Sequence, residues 1–351
     1  MARGLAVAVL CAVCLTGSAA GSAVGDVRVL VIRATWGPTP DTPTLADVAP
    51  FYDRASFGQV RLHLEVTPWL RAYSATVCPA DQEAAKAAAA SAGYDVGSYA
   101  RIAVLLPDEN ACEFKGVART NTEILLAQPQ SLIHELGHTF GLAHATSYFC
   151  TGRNCRRIEE YGDPLSPMGH GTLDFSAYEK LKLGWITSVQ RVAGSRTYTV
   201  ADIDTASSRP QALVVRTSAG EYWIEHRAGE RRVIVRLVKQ RSIYIGAPND
   251  RFVAPNVLSV TRTFGFKWLD HKRPTQPSAH ALDETVLWWS RSRDAGSGVA
   301  SYRVTLDGKP YSTTTETRLT LPELRGTHRI TVVAVDRAGN LSRPGVVSLN
   351  V

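Results

Sequence analysis

The stretch His134-Glu135-Leu136-Gly137-His138-Thr139-Phe140-Gly141-Leu142-Ala143-His144 sets three imidazoles and a carboxylate in one short run of chain. Residues four apart on an α-helix lie on the same face, one turn apart, so His134 and His138 can aim at a single ion. Glu135, beside the first of them, can reach the open side of that ion and take a proton from bound water. Gly141 is the residue best able to adopt the left-handed backbone that ends a helix and turns the chain back, which brings His144 in as a third ligand. Three neutral imidazoles leave a fourth position on zinc for water, whereas a structural zinc would be closed by four protein ligands. The H-E-x-x-H pattern alone turns up in roughly one chain in a hundred, and the added Gly and His at fixed offsets lower that about a thousandfold. Histidines serving only a helix surface or a core are the weaker reading.

Around this helix the pattern is mixed α and β. Residues 27–32 are β-branched and apolar and stop at Gly37 and Pro38, residues 60–66 alternate strictly up to Pro68, and residues 102–106 read as a buried strand. Residues 81–92 are Ala-rich with an acidic start and Gly93 as a stop, and a last helix over about 174–183 ends at Gly184. Beyond Trp185 the texture becomes short β segments separated by turn residues, and residues 270–280 are polar and proline-bearing, as a linker is. The expected organisation is therefore a signal segment at 1–23, an α+β catalytic domain at 24–190, a β-rich extension at 191–269, a linker at 270–280 and a β-sandwich at 281–351.

The 351 residues, 44% hydrophobic and 20% charged, have the composition of an ordinary globular protein. Residues 1–23 combine Arg3, an apolar run and a box of small residues, which predicts a cleaved secretory signal, a secreted, extracellular product and no membrane span. Removing that segment leaves Cys78, Cys112, Cys150 and Cys155, an even number that predicts two disulfides with three possible pairings. The favoured pairing joins Cys150 to Cys155 around Gly152 and Cys78 to Cys112; no C-x-x-C supports a cysteine metal site. The net charge of +7 is densest at residues 227–241, where Arg231, Arg232 and Arg236 interleave with Val233, Ile234, Val235 and Leu237. These are expected to be strands with one solvated face, and the lack of aromatic platforms argues against nucleic acid.

The zinc motif resembles that of the metzincin clan, and Asp163-Pro164-Leu165-Ser166-Pro167-Met168-Gly169 resembles the clan's Met-turn. That likeness implies a zincin fold of the metzincin type and makes Met168 a structural floor beneath the histidines. Within the clan, Ser166-Pro167-Met168-Gly169 ahead of a helix ending Leu183-Gly184-Trp185 is most similar to the gametolysin family, as are Tyr52-Asp53-Arg54-Ala55-Ser56-Phe57-Gly58 and Glu221-Tyr222-Trp223-Ile224-Glu225-His226-Arg227. The first strand begins almost at the signal cleavage site, so the inhibitory pro-segment of many metzincins is not expected. Where some relatives carry a Tyr two residues after the Met, this chain has His170, either a residue that assists the transition state or an exposed turn histidine. Residues 281–351, with Trp288, Trp289, the Asp307-Gly308 turn and the ending Ala334-Val335-Asp336-Arg337-Ala338-Gly339-Asn340, resemble a fibronectin type III or immunoglobulin-like module.

The resemblance implies hydrolysis of internal peptide bonds by a metal-activated water, with Zn2+ as cofactor and Glu135 as general base. A protein or peptide substrate follows, with a monomer expected and the sandwich serving as a spacer or touching a polymer or cell surface. A non-catalytic adhesin is a rival that the intact Glu135 opposes, and a hydrolase of another amide, such as wall peptide, is a second. No G-x-S-x-G motif supports a serine nucleophile.

Overall fold

The computed structural model describes residues 23–351 except 42–43, 76–77, 79, 108–111, 152–153, 228–231, 241 and 247–250, together with the backbone but not the side chains of 149–157. The expected signal segment lies outside the described residues, its last position excepted. The chain divides into two compact units: Val60–Gly141 with the segment up to Pro50, and Phe51–Gln59 with Leu142–Val351.

Strand β1 (Gly25–Thr35) opens the chain's first sheet and is followed by α1 (Val48–Ala55), β2 (Val60–Val66), the short β3 (Leu70–Arg71), α2 (Gln82–Ser91), β4 (Arg101–Leu105), β5 (Gly116–Ala118), β6 (Glu123–Leu126) and α3 (Leu132–Thr139). The strand order is β2-β1-β4-β6-β5, parallel except for β5, which runs antiparallel to β6 at the edge. Central parallel strands are covered on both faces, so β1 and β4 are buried along most of their length. Strand β2, at the other edge, alternates buried and exposed as its sequence does. Helix α2 starts where the Asp81 side chain accepts the Glu83 N–H. It lays Ala85 and Ala89, one turn apart, on Leu30, Ile32, Val104 and Leu125, and a disulfide joins Cys78 to Cys112.

In the second unit β7 (Thr146–Thr151), β8 (Asn154–Glu159), α4 (Ala177–Leu183), β9 (Gln190–Arg191), β10 (Arg196–Thr197), β11 (Leu213–Thr217), β12 (Gly220–Glu225), β13 (Ile234–Val238), β14 (Ser242–Gly246), β15 (Arg251–Ala254), β16 (Leu258–Thr261) and β17 (Gly265–Trp268) follow in turn. One seven-stranded sheet, ordered β8-β7-β14-β13-β12-β11-β9, takes strands from both the 24–190 and the 191–269 stretches of sequence. The β7–β8 pairing sets Cys150 opposite Cys155 in backbone register, but their side chains, and so the expected bridge, lie outside what is described. On one face Val215, Ile224, Val235 and Leu237 meet Leu258, Val260, Phe266 and Trp268 of the sheet β10-β17-β16-β15. On the other face α4 brings Ala177 against Val214, Trp223 and Val238. That helix has a full capping box, Ser176 with Glu179, and ends at Gly184 in left-handed backbone (φ +80°).

The expectation of a solvated face for the basic stretch is wrong for β13. Every residue of that strand is buried, and Arg236 is only 1% exposed. A second sheet covers one face of the strand, and α4 and its flanking loops cover the other, leaving no face for water.

The C-terminal strands β18 (Ala279–Ala281), β19 (Val286–Trp289), β20 (Val299–Leu306), β21 (Lys309–Thr314), β22 (Arg318–Thr320), β23 (Thr327–Asp336) and β24 (Gly345–Asn350) form sheets ordered β18-β19-β22 and β21-β20-β23-β24. Their core contains Leu287, Trp289, Tyr302, Val304, Ile330 and Val332. The β20–β21 hairpin turns on Asp307 and Gly308, both with positive φ, the conformation a two-residue turn of this hand demands. Trp289, edge-on to Tyr302 at 5.5 Å, is the largest fully buried side chain there. Trp289→Ala should lower the unfolding free energy of this sandwich by about 3–5 kcal/mol in a urea titration; a loss below about 1 kcal/mol would show that the indole is not its central packing element.

Candidate metal centre

Helix α3 follows a 3-10 turn at Pro129–Ser131, buries Leu132 and Leu136, and so turns its other side to the histidines. The Nε2 atoms of His134 and His138 face each other at 3.0 Å, with the rings nearly perpendicular. Two ligands of one tetrahedral zinc at ordinary bond lengths would stand roughly 3.3 Å apart, so this pair needs only a small adjustment to grip an ion. The helix ends as its sequence predicts: the Gly141 N–H donates to the His138 carbonyl, and Gly141 takes φ +92°. His144 follows, and the ligand atoms of His134, His138 and His144 all lie within 4.8 Å of one another. Three imidazole nitrogens without a carboxylate or thiolate suit zinc.

Glu135 is buried beside His134. Burial pushes its carboxyl up to about 7, although the Ala118 backbone N–H bonds to it and works the other way. The side chain lies against Gly116 of β5 so closely that a Cβ there would stand 2.8 Å from its Cγ and Oε1. A glycine is what lets the edge strand and the carboxylate share this space. The His144 ring places Nδ1 2.9 Å from Glu160 Oε1 and packs against Tyr161 at 4.1 Å. A carboxylate on Nδ1 fixes the tautomer in which Nε2 carries the lone pair.

Met168 is fully buried in a tight turn. Its N–H donates to Ser166 Oγ, and its carbonyl accepts from the Ala145 N–H at 2.8 Å, while the Asp163 N–H donates back to the Ala145 carbonyl at 3.2 Å. Asp163 Oδ1 accepts the N–H groups of Leu165 and Ser166. His170 is exposed, and its Nδ1 donates to the Tyr161 carbonyl at 2.8 Å.

Sequence reasoning missed the ionic cluster beneath this turn. Arg236 meets Asp163 through Nε at 2.8 Å and Glu225 through Nη1 at 2.5 Å. Glu225 also accepts the N–H of Ala177 at the start of α4, and Arg227 donates to the carbonyls of Asp174 and Phe175 and to Asp204. Glu179 accepts from Ser166 Oγ and from the N–H and Oγ of Ser176. Burial alone would raise the Asp163 carboxyl, but Arg236 holds it below the ordinary range; Glu179, with no cation bonded to it, is pushed up by burial to about 7. One signal was present: the apolar residues around Arg236 are continuous rather than alternating, the mark of a strand covered on both faces.

The profile of gametolysin peptidase M11 matches residues 9–222. No curated protein matches the sequence. Among solved structures, the spore cortex lytic enzyme SleM of Clostridium perfringens is 15% identical over 22% of this chain and 28% of its own, with a TM-score of 0.20. The chain thus spans little more than a quarter of that protein. The fibronectin(III)-like modules of Clostridium thermocellum CbhA are 20% identical over 22% of this chain and 86% of their own, at a TM-score of 0.18. Chitinase ChiA74 from Bacillus thuringiensis is 13% identical over 76% of this chain and 53% of its own, at 0.22. These structural likenesses are too slight to bear on fold or activity. The gametolysin match covers more than half the sequence and contains the His134 and His138 pair, and the chain belongs to the gametolysin peptidase M11 family of zinc metalloproteases.

Proposed function

We propose that the protein is a secreted zinc endopeptidase whose ion is held by His134, His138 and His144 and whose general base is Glu135, on an α+β zincin scaffold of the metzincin type. The observation that carries the reading is the trio of imidazole donors within 4.8 Å beside a buried carboxylate. When bound, zinc supplies Lewis acidity and a water that ionises near neutral pH. Glu135 takes the proton of that water on its carboxylate and returns it to the leaving amine. Burial and the Ala118 backbone N–H hold the carboxylate in one place for both steps.

An extended polypeptide is the substrate that the first unit favours. Strand β5 is an antiparallel sheet edge, and its first residue, Gly116, lies directly on Glu135. A peptide added along that edge would bring main-chain amides past the general base, which serves cleavage inside a chain better than removal of a terminal residue. Met168 is the buried floor of the turn, and His170, engaged with the Tyr161 carbonyl, holds the turn rather than the transition state. Secretion rests on the pattern of residues 1–23 and on the Cys78–Cys112 disulfide, a bond that persists in oxidising compartments. No helix among the described residues is long and apolar enough to cross a membrane.

Chelation should abolish casein cleavage, and added zinc should restore it. Glu135→Ala is expected to retain stoichiometric zinc by metal analysis while kcat/KM falls by about 10²–10⁴-fold, whereas His138→Ala should lose both; near-normal turnover by the Glu135 variant would refute the scheme. Gly116→Ala inserts a methyl against Glu135, so kcat should drop at least tenfold, roughly, with zinc content unchanged; an unaltered kcat would show that β5 and Glu135 can separate at no cost.

A further inference from the structure

The Met-turn and the residue after His144 are tied to each other by two main-chain hydrogen bonds, Ala145 N–H to the Met168 carbonyl and Asp163 N–H to the Ala145 carbonyl. Asp163 is therefore bonded at both ends. Its backbone holds the residue next to His144, and its carboxylate is held by Arg236 from β13. Arg236 is held in turn by Glu225, whose other oxygen caps α4 through Ala177. Ser166, inside the turn, bonds to Glu179 of the same helix. All of these side chains are buried, so each polar contact is made without competition from water.

We infer that Arg236 is a positioning residue for the third histidine: it fixes Asp163 from below, and Asp163 fixes the backbone that presents His144. The inference rests on the metal-binding role proposed for His144. A guanidinium is required because two carboxylates on different elements must be met at once, one of them through two nitrogens; an ammonium is a single point and cannot span them. The turn itself leaves no slack to absorb a shift. Gly169 and Gly171 are so close to the backbone of Asp163 and of Leu165 that neither has room for a side chain.

The test compares the full chain with its Arg236→Lys and Arg236→Met variants. Zinc affinity is measured by competition with a chromogenic chelator, and Ala145 amide exchange is followed in the metal-free protein, with the Ile330 amide of β23 as an internal reference. Arg236→Lys should keep its circular dichroism and its Ile330 protection, exchange the Ala145 amide at least about tenfold faster, and bind zinc about 10- to 100-fold more weakly, the usual cost of losing an outer-shell partner of a metal ligand. Arg236→Met should do the same or more if it folds; if it does not fold, the Lys variant decides. A lowered Tm with zinc affinity within twofold of the parent and unchanged Ala145 exchange would overturn the inference and leave Arg236 as a merely structural residue. A parent chain that binds no zinc, or a His138→Ala control that binds it as well as the parent, would instead overturn the metalloprotease reading, and this inference with it.

Discussion

A guanidinium enclosed on every side must be matched by carboxylates, or it could not stay buried. In this protein the match is Arg236 with Asp163 and Glu225, three side chains from a loop and two neighbouring strands. Such a cluster adds little to net stability compared with an apolar core of the same volume. What it supplies is geometry, since removing any one partner strands the others and the loops have one arrangement that satisfies all of them. The Met-turn amides of Leu165 and Ser166, the cap of α4 and the residue following His144 are each bonded to a member of this cluster.

The first unit solves a different problem by a different means. His134, Glu135 and His138 all come from α3, and helical spacing by itself puts the histidines on one side and the carboxylate next to them. Precision there comes from packing. Buried Leu132 and Leu136 seat the helix, and the missing side chain at Gly116 lets the sheet edge come up to the acid. Two of the three proposed ligands, His134 and His138, are thus fixed by regular structure, while His144 sits in irregular chain that depends on side-chain hydrogen bonds.

That division explains what could be read in the sequence. Strand β2, helix α2 with its Asp81 cap, the stop at Gly141 and the helix ended by Gly184 are written locally, in alternation, spacing and end signals, and the structure places them within a few residues of expectation. The helix before Gly184 starts at Ala177 rather than near Asp174, because Ser176 and Glu179 form the capping box. Arg236 was misread because its partners are remote: Asp163 lies 73 residues away, and the continuous apolar run around the arginine tells that the strand is covered but not which carboxylate meets it. The seven-stranded sheet was hidden for the same reason, since β7 pairs with β14 across nearly a hundred positions.

The family match stops at residue 222, three positions short of Glu225 and fourteen short of Arg236. A fragment trimmed at that point would contain His134, His138, His144 and Glu135, and it would look complete by its motifs. It would also bury Asp163 with no opposing cation and leave α4 without the carboxylate on its first amide. For anyone dissecting this chain, charge balance under the turn demands the residues through the end of β13, and the strands that enclose β13 extend the requirement to β17.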